Sequence, residues 1–494
     1  MQTKSAIPPQ DVTFPIVYEH PGTSSQNSDF KGRGTFTARA NGPVYVFTGQ
    51  SRSRLSSSAL EREFAADEIH NLSISGPMIS FDARRKITGG RDGHFVFFCA
   101  DPATARTVAS LLPATIDADF VAVRDFGTRL RSLDGASSPW TSVTNIIVAL
   151  NVIVYLIMGA LGAGWFEVKS MTPYILYGAN QGAATTDGEW WRLLTSMFMH
   201  YGLIHLLFNM WALYQAGHFV EKLQGRTLYA LTYLASGLAG GFASILWHAD
   251  QSWSAGASGA IFGVYGAILG FLLREKQGLP ASIYSSLLKS SLLFAVYNIV
   301  FSATRAGIDN SSHIGGVIGG IAMGWLVALP VDRAIRDRQT GRRIVMSLIA
   351  IVVMIIAGVA LTPRFDYSVR ENLSLDETNH PFIDQEAAMS KQNQAGLEAI
   401  ERGGDAQAHA EWIATQLVPF YRSWEEKLAA LTLKPGNQTA TRRDKLEAII
   451  HQQAEANRRL ATAFKAHDPG ALGRYTQDKE EIFREIGEYN KQQP

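Results

Sequence analysis

The 494 residues are too many for one ordinary compact domain, and 45 Lys and Arg against 44 Asp and Glu leave a net charge of +1. That balance gives no electrostatic reason to expect nucleic acid as a partner. A single cysteine, Cys99, excludes an internal disulfide framework and reads as a small buried apolar residue rather than a reactive thiol.

The near-zero mean hydropathy averages two polar ends with a very apolar middle. The first thirty residues hold no apolar stretch of the kind a cleavable secretory signal needs, so internal segments are expected to direct membrane insertion. Residues 1–140 are expected to form a soluble α+β domain. "GTFTARA", "VYVFTG", "ISFDA" and "HFVFFCA" read as strands. "DPATARTVASLLP" reads as a helix with Asp101 as N-cap and Pro102 at the first helical position. No catalytic constellation stands out here, which suits a regulatory or interaction domain or an inherited appendage.

From Val143 the character changes. A spanning helix needs about 20 mostly apolar residues. Seven segments qualify: 143–163, 192–215, 227–247, 258–273, 283–302, 312–330 and 344–362. Residues 141–332 thus read as a six-span core, and 333–362 as a basic linker with a seventh span. Loop charges give the orientation. Arg129 and Arg131, Lys222 and Arg226, Arg274 with Lys276 and Lys289, and the five arginines of 333–343 all fall on one side. Lys169 and Arg305 are sparse on the other. The N-terminus is expected in the cytoplasm and the C-terminal tail outside. The tail, 363–494, reads as a soluble helical domain, with breaks at Gly403-Gly404 and "LKPGNQT".

Polar groups inside spans are costly and need a reason. The second span carries His200, His205 and Asn209; the last two are four apart and share a helix face. Two histidines four apart with a glutamate between them, as in zinc proteases, are absent, so no metal or organic cofactor is expected. The fourth span opens "SAGASGAIFG", with Gly259, Gly263, Gly266 and Gly270 on one stripe. By itself this reads as close helix packing, with Ser258 one more small residue. The sixth span puts Gly316, Gly320 and Gly324 on the face of His313. With the N-terminus inside, all three spans run inward, so His205, Asn209, Ser258 and His313 lie at similar depth near the outer end. His313 is the natural base for a serine nucleophile. The Ser258 amide, His205 and Asn209 are candidate donors to an oxyanion. No carboxylate lies in the outer half of any span to orient His313, so a dyad is expected, with Phe262 placed to lie against the imidazole. A client-binding membrane protein without catalysis, and a transporter or channel, are the alternatives.

"WWRLLTSMFMHYGLIHLLFNMW", "GASGAIFG" and "SSHIGGVIGG", in that order on successive even spans, resemble the rhomboid family of intramembrane serine proteases. The likeness covers residues 190 to about 330, extends to the first span, and leaves both polar ends uncovered. It implies a polytopic α-helical membrane protein with a rhomboid-like six-helix core plus one C-terminal transmembrane helix. It implies Ser258 as nucleophile and His313 as general base. It also implies an oxyanion site from the Ser258 amide, His205 and Asn209, shaped by Gly256, with His200 in support. Trp191 and Arg192 match the family's Trp-Arg pair in the first outer loop. Phe262 stands where the family often has Tyr. The substrates implied are single-pass membrane proteins in the lipid bilayer, cut in or beside the spanning segment. The expected location is a plasma membrane such as a bacterial inner membrane.

Overall fold

The computed structural model describes residues 8–18, 30–51, 58–87, 91–113, 115–133, 139–304 and 307–491. Arg305 and most of the first thirty residues lie outside these ranges. The chain divides into two units, the first mainly Met1–Gly135 and the second mainly the remainder.

In the first unit, β1 (Val12–Val17), β2 (Phe30–Ala38), β3 (Val44–Ser51), β4 (Ala59–Ala65), β5 (Ile69–Ser75), β6 (Met78–Ile87) and β7 (Arg91–Phe98) form one antiparallel sheet, ordered β4-β3-β2-β1-β7-β6-β5. Strand alternation turns one set of side chains inward. Phe36, Phe47, Phe64, Phe81, Phe95 and Phe97 are each at most 2% exposed. Their rings pack tightly, with centroids 4.8 Å apart for Phe47 and Phe95 and 5.0 Å for Phe81 and Phe95. Helix α1 (Pro102–Leu111) adds Ala105 and Val108 to this core. Asp101 caps it, accepting from the Ala103 and Thr104 amides at 2.8 and 2.9 Å. Burial, helped by the Asp101 charge, pushes the Cys99 thiol up to about 11, so it is an inert core residue at neutral pH. Helix α2 (Ala118–Ser132) follows.

Strands β1, β4 and β5 escape the sequence reading. Strand β4, "ALEREFA", is short and charged. Strand β1 contains Pro15, which argues against a central strand. Among the described residues β1 meets β7 only at Val17, so the missing amide of Pro15 costs no rung on that side.

The second unit begins with α3 (Val143–Ala160), the short α4 (Thr172–Tyr177), α5 (Gly182–Thr186) and α6 (Arg192–Thr195), and then α7 (Leu203–Gln224), α8 (Arg226–His248) and α9 (Ser258–Glu275). Next come α10 (Ala281–Ala303), α11 (Asn310–Val327) and α12 (Arg333–Leu361). Among the described residues five helices, α3, α8, α9, α10 and α12, are long and apolar enough to cross a bilayer.

The expected second span, 192–215, is not one helix. The run Arg192–Phe198 and helix α7 bend by 94° across a break, and only as one bent pair do they make a sixth crossing. Gly202, at φ +88°, makes the turn. His200 therefore lies in the break, one turn short of the helix that carries His205. The second span is thus broken rather than continuous, and α11 is helical but not among the five, its start being Asn310, Ser311, Ser312 and His313. The basic stretch expected as a linker is instead the start of α12, which runs unbroken into the apolar segment.

Glycines let the backbones of α9 and α11 touch. A Cβ on Gly316 would stand 1.9 Å from the carbonyl oxygen of Gly259, and one on Gly320 would stand 2.0 Å from that of Gly263. No side-chain adjustment relieves a clash with backbone, so helix separation here is set by the absence of side chains. Elsewhere Glu221 near the end of α7 ties down the start of α3. Its carboxylate accepts from the Val143 and Thr144 amides at 2.8 and 2.9 Å.

The C-terminal helices are α13 (Val369–Glu401), α14 (Ala406–Trp412), α15 (Val418–Ala429), α16 (Gln438–Lys465) and α17 (Ala471–Lys491). A π-turn over Ile413–Leu417 joins α14 to α15. They share a core that includes Leu375, Ile413, Tyr421, Trp424, Ile450 and Ile482. Inside it Asn393 donates to Tyr475 Oη at 2.9 Å, and Tyr475 donates to Asn457 at 3.0 Å. These three buried polar side chains thereby satisfy one another.

Candidate active site

Ser258 is the first residue of α9, where backbone amides lack helical acceptors and point toward the helix start. The loop before it is fixed at three points. Asn180 and Ser254 exchange both backbone hydrogen bonds at 2.8 Å. The Gly256 amide donates to Ser196 O at 2.9 Å, and the Ala257 amide points at His200 Nε2 at 3.5 Å. The helix break thus has a use, because His200 belongs to it and Ser196 to the short run just before it.

His313 sits in the first turn of α11. Its Nε2 lies 2.9 Å from Ser258 Oγ, and the residue is only 6% exposed. The backbone contact of α9 with α11 sets this distance: Gly316 is one turn beyond His313, and Gly259 follows Ser258. The Phe262 ring lies 4.2 Å from the imidazole with planes 11° apart, so the base is clamped face-on. Among the described residues Nδ1 of His313 meets no protein acceptor.

His205 occupies the first turn of α7. The Cβ that Gly256 lacks would stand 3.0 Å from His205 Cε1, 3.1 Å from Nε2 and 3.7 Å from Ser258 Oγ. The ring and the hydroxyl therefore flank one small space, which any side chain at residue 256 would fill. Gly256 also holds φ +144°, where only glycine is unstrained. Asn209 Nδ2 donates to His205 O at 3.0 Å, and an amide nitrogen has a second N–H beyond that bond. His200 is fully buried with its ring 5.0 Å from that of His205. It serves the serine loop rather than the space beside Ser258.

Three features escape sequence reading. Asp309, the N-cap of α11, accepts from the Ser312 amide at 3.0 Å and lies 3.4 Å from His248 Nε2. It falls just outside the apolar window, although an Asp three residues before a helical Ser is a capping signal. Glu189 pairs with the buried Arg192 at 2.5 Å, and Arg192 in turn donates to Ala179 O at 3.0 Å. Asn180, beside that carbonyl, makes the bridge to Ser254. Trp191 and Trp253 flank the guanidinium, with ring centroids 4.9 and 5.6 Å away.

The Rhomboid domain model matches residues 187–330, the stretch that holds Ser258, His313, His205, Asn209 and Gly256. The chain is 33% identical over 205 residues to the rhomboid protease GluP of Bacillus subtilis, covering 42% of this chain and 38% of that protein. It is 32% identical over 156 residues to the putative rhomboid protease YdcA of the same organism, covering 32% of this chain and 75% of that protein. To the rhomboid protease AarA of Providencia stuartii it is 28% identical over 198 residues, covering 36% and 69%. The chain spans less than half the length of GluP and about seven-tenths of AarA. Apolar helices packed through glycine, the domain match and these relatives together make the chain a multi-pass membrane protein of the rhomboid family, a family of intramembrane proteases.

Proposed function

We propose that this chain is an intramembrane serine endopeptidase that cuts membrane proteins in or beside a spanning segment. One observation carries the reading: Ser258 Oγ and His313 Nε2 are at hydrogen-bond distance, 2.9 Å, at the adjoining starts of two closely packed helices. Nε2 accepts the hydroxyl proton as Oγ attacks the scissile carbonyl. The same nitrogen then protonates the departing amine. Water, deprotonated by His313, hydrolyses the acyl-enzyme, and Ser258 regains its proton. The oxyanion forms in the space that Gly256 leaves open, facing the Ser258 amide, His205 and the second N–H of Asn209. Phe262 holds the imidazole in place of the carboxylate that a triad would supply.

In this reading the core is six crossings with α12 as a seventh. The N-terminal domain lies on the cytoplasmic side and the site and C-terminal helices on the outer side, a sidedness the Lys and Arg bias of the loops supports. The substrates are single-pass membrane proteins with helix-weakening residues near the cut, since a helical amide must unwind before a serine reaches it. The bilayer is the medium of the reaction.

The test is cleavage of a reporter with one spanning segment, in proteoliposomes. Wild type should release the expected fragment, and Ser258→Ala or His313→Ala should slow it by roughly 10⁴-fold or more. Equal cleavage by Ser258→Ala would reject the assignment.

A further inference from the structure

The C-terminal helices hold the two loops that form the scaffold of Ser258. Arg370, in the first turn of α13, reaches Glu189 at 2.6 Å. Glu189 is 18% exposed and is shared with the buried Arg192. Lys434, between α15 and α16, pairs with Asp187 in the same loop. Tyr367, just before α13, donates to the Asp250 carboxylate at 2.8 Å. Phe365 lies against Gly182, whose missing Cβ would stand 3.0 Å from its ring.

These contacts grip both sides of one bridge. Asp187 and Glu189 belong to the segment after Asn180, and Asp250 belongs to the segment before Ser254. Gln181 already joins the two segments, donating to Asp250 O at 2.7 Å, and the Gly182 amide donates to Ala249 O at 2.9 Å. The Asn180–Ser254 pair closes this frame four residues before the serine. A charged surface pair alone contributes little. Here three side chains from one folded element act on a frame whose inner member, Arg192, is desolvated and paired.

We infer that the C-terminal helical domain is a positioning element of the protease, acting through Arg370, Lys434 and Tyr367 to hold the frame that presents Ser258. This rests on the proposed role of Ser258. The domain clamps the site rather than blocking it, since these three residues contact Glu189, Asp187 and Asp250 and none of them touches Ser258, His313 or Phe262. Loosening the clamp therefore lowers turnover and leaves substrate affinity in place.

In full-length protein in liposomes, Arg370→Glu and Lys434→Asp should each lower kcat about three- to tenfold with KM unchanged, the scale expected when a reactive geometry is loosened but not removed. Labelling of Ser258 by a fluorophosphonate should slow by the same factor. The swap Asp187→Lys with Lys434→Asp should restore the rate. Because Arg370 and Lys434 are mostly exposed, raising salt from about 0.05 to 0.5 M should slow wild type and leave the double neutral variant Arg370→Gln with Lys434→Gln unaffected. Charge reversals that label as fast as wild type, or faster, overturn the inference, as does a swap that recovers nothing. Docking is read without activity in a Ser258→Ala, Cys99→Ala background, with Asp187→Cys, Lys434→Cys and a short thiol-to-thiol crosslinker. A crosslink is expected, and its absence sinks the inference alone. Unlabelled wild type would instead sink the proposed function.

Discussion

The sheet β1–β7 and the helices α8, α9 and α11 are both densely packed, but with side chains of opposite size. The sheet packs phenylalanine on phenylalanine, seven of them among the described residues at most 2% exposed. In water the release of apolar surface drives that packing, and large rings give the most per residue. The helices pack glycine on backbone. Lipid tails are as apolar as leucine, so burying large side chains between helices gains little, and close contact of main chains does the work instead. Only the second kind of packing fixes helix positions to the accuracy that a Ser–His hydrogen bond needs.

If this contrast is right, substitutions of opposite sense should damage the two regions. The largest effect is expected from Gly316→Val. The added atoms meet the Gly259 carbonyl, the two helix starts separate, and Ser258 labelling should fall below detection even where the protein remains in the membrane. Next comes Phe47→Ala in the sheet, which leaves a cavity among five rings and should cost about 3–5 kcal/mol in denaturant unfolding of that region. Phe262 sharpens the comparison, being a large ring on a glycine-packed helix. Its partner is the imidazole, so Phe262→Leu should lower kcat about tenfold with little change in KM, by freeing the base. A general loss of stability without a kcat effect would make Phe262 ordinary packing. The smallest effect belongs to Gly341 in α12, whose Cβ position is open. Gly341→Ala should leave labelling unchanged and stabilise the helix by up to about 1 kcal/mol in thermal unfolding.

The same contrast explains what the sequence discloses. Glycine stripes are regular, so a close-packing face on α9 and on α11 can be read from spacing, though not that the two faces meet, and the shared depth of Ser258 and His313 follows from span direction. The Asp101 cap and Pro102 mark α1 by chemistry local to the chain. The break at residues 199–202 was hidden because the hydropathy of 192–215 is continuous across "MHYG", and Gly202 alone signals the turn. Asp309 and Glu189 lie outside the apolar windows; each has a local partner three residues on, Ser312 and Arg192, but their pairing with His248 and Arg370 is long-range and no period reveals it. The clamp by Arg370 and Lys434 joins residues 181 and 247 positions apart, beyond any local signal.

The most direct measurement is mass-spectrometric mapping of an activity-directed serine reagent on the wild-type protein in a bilayer, compared with His313→Ala. The account predicts one modified site, Ser258, and its loss in the histidine variant. Modification elsewhere, none at all, or labelling of Ser258 that ignores the loss of His313 would contradict it.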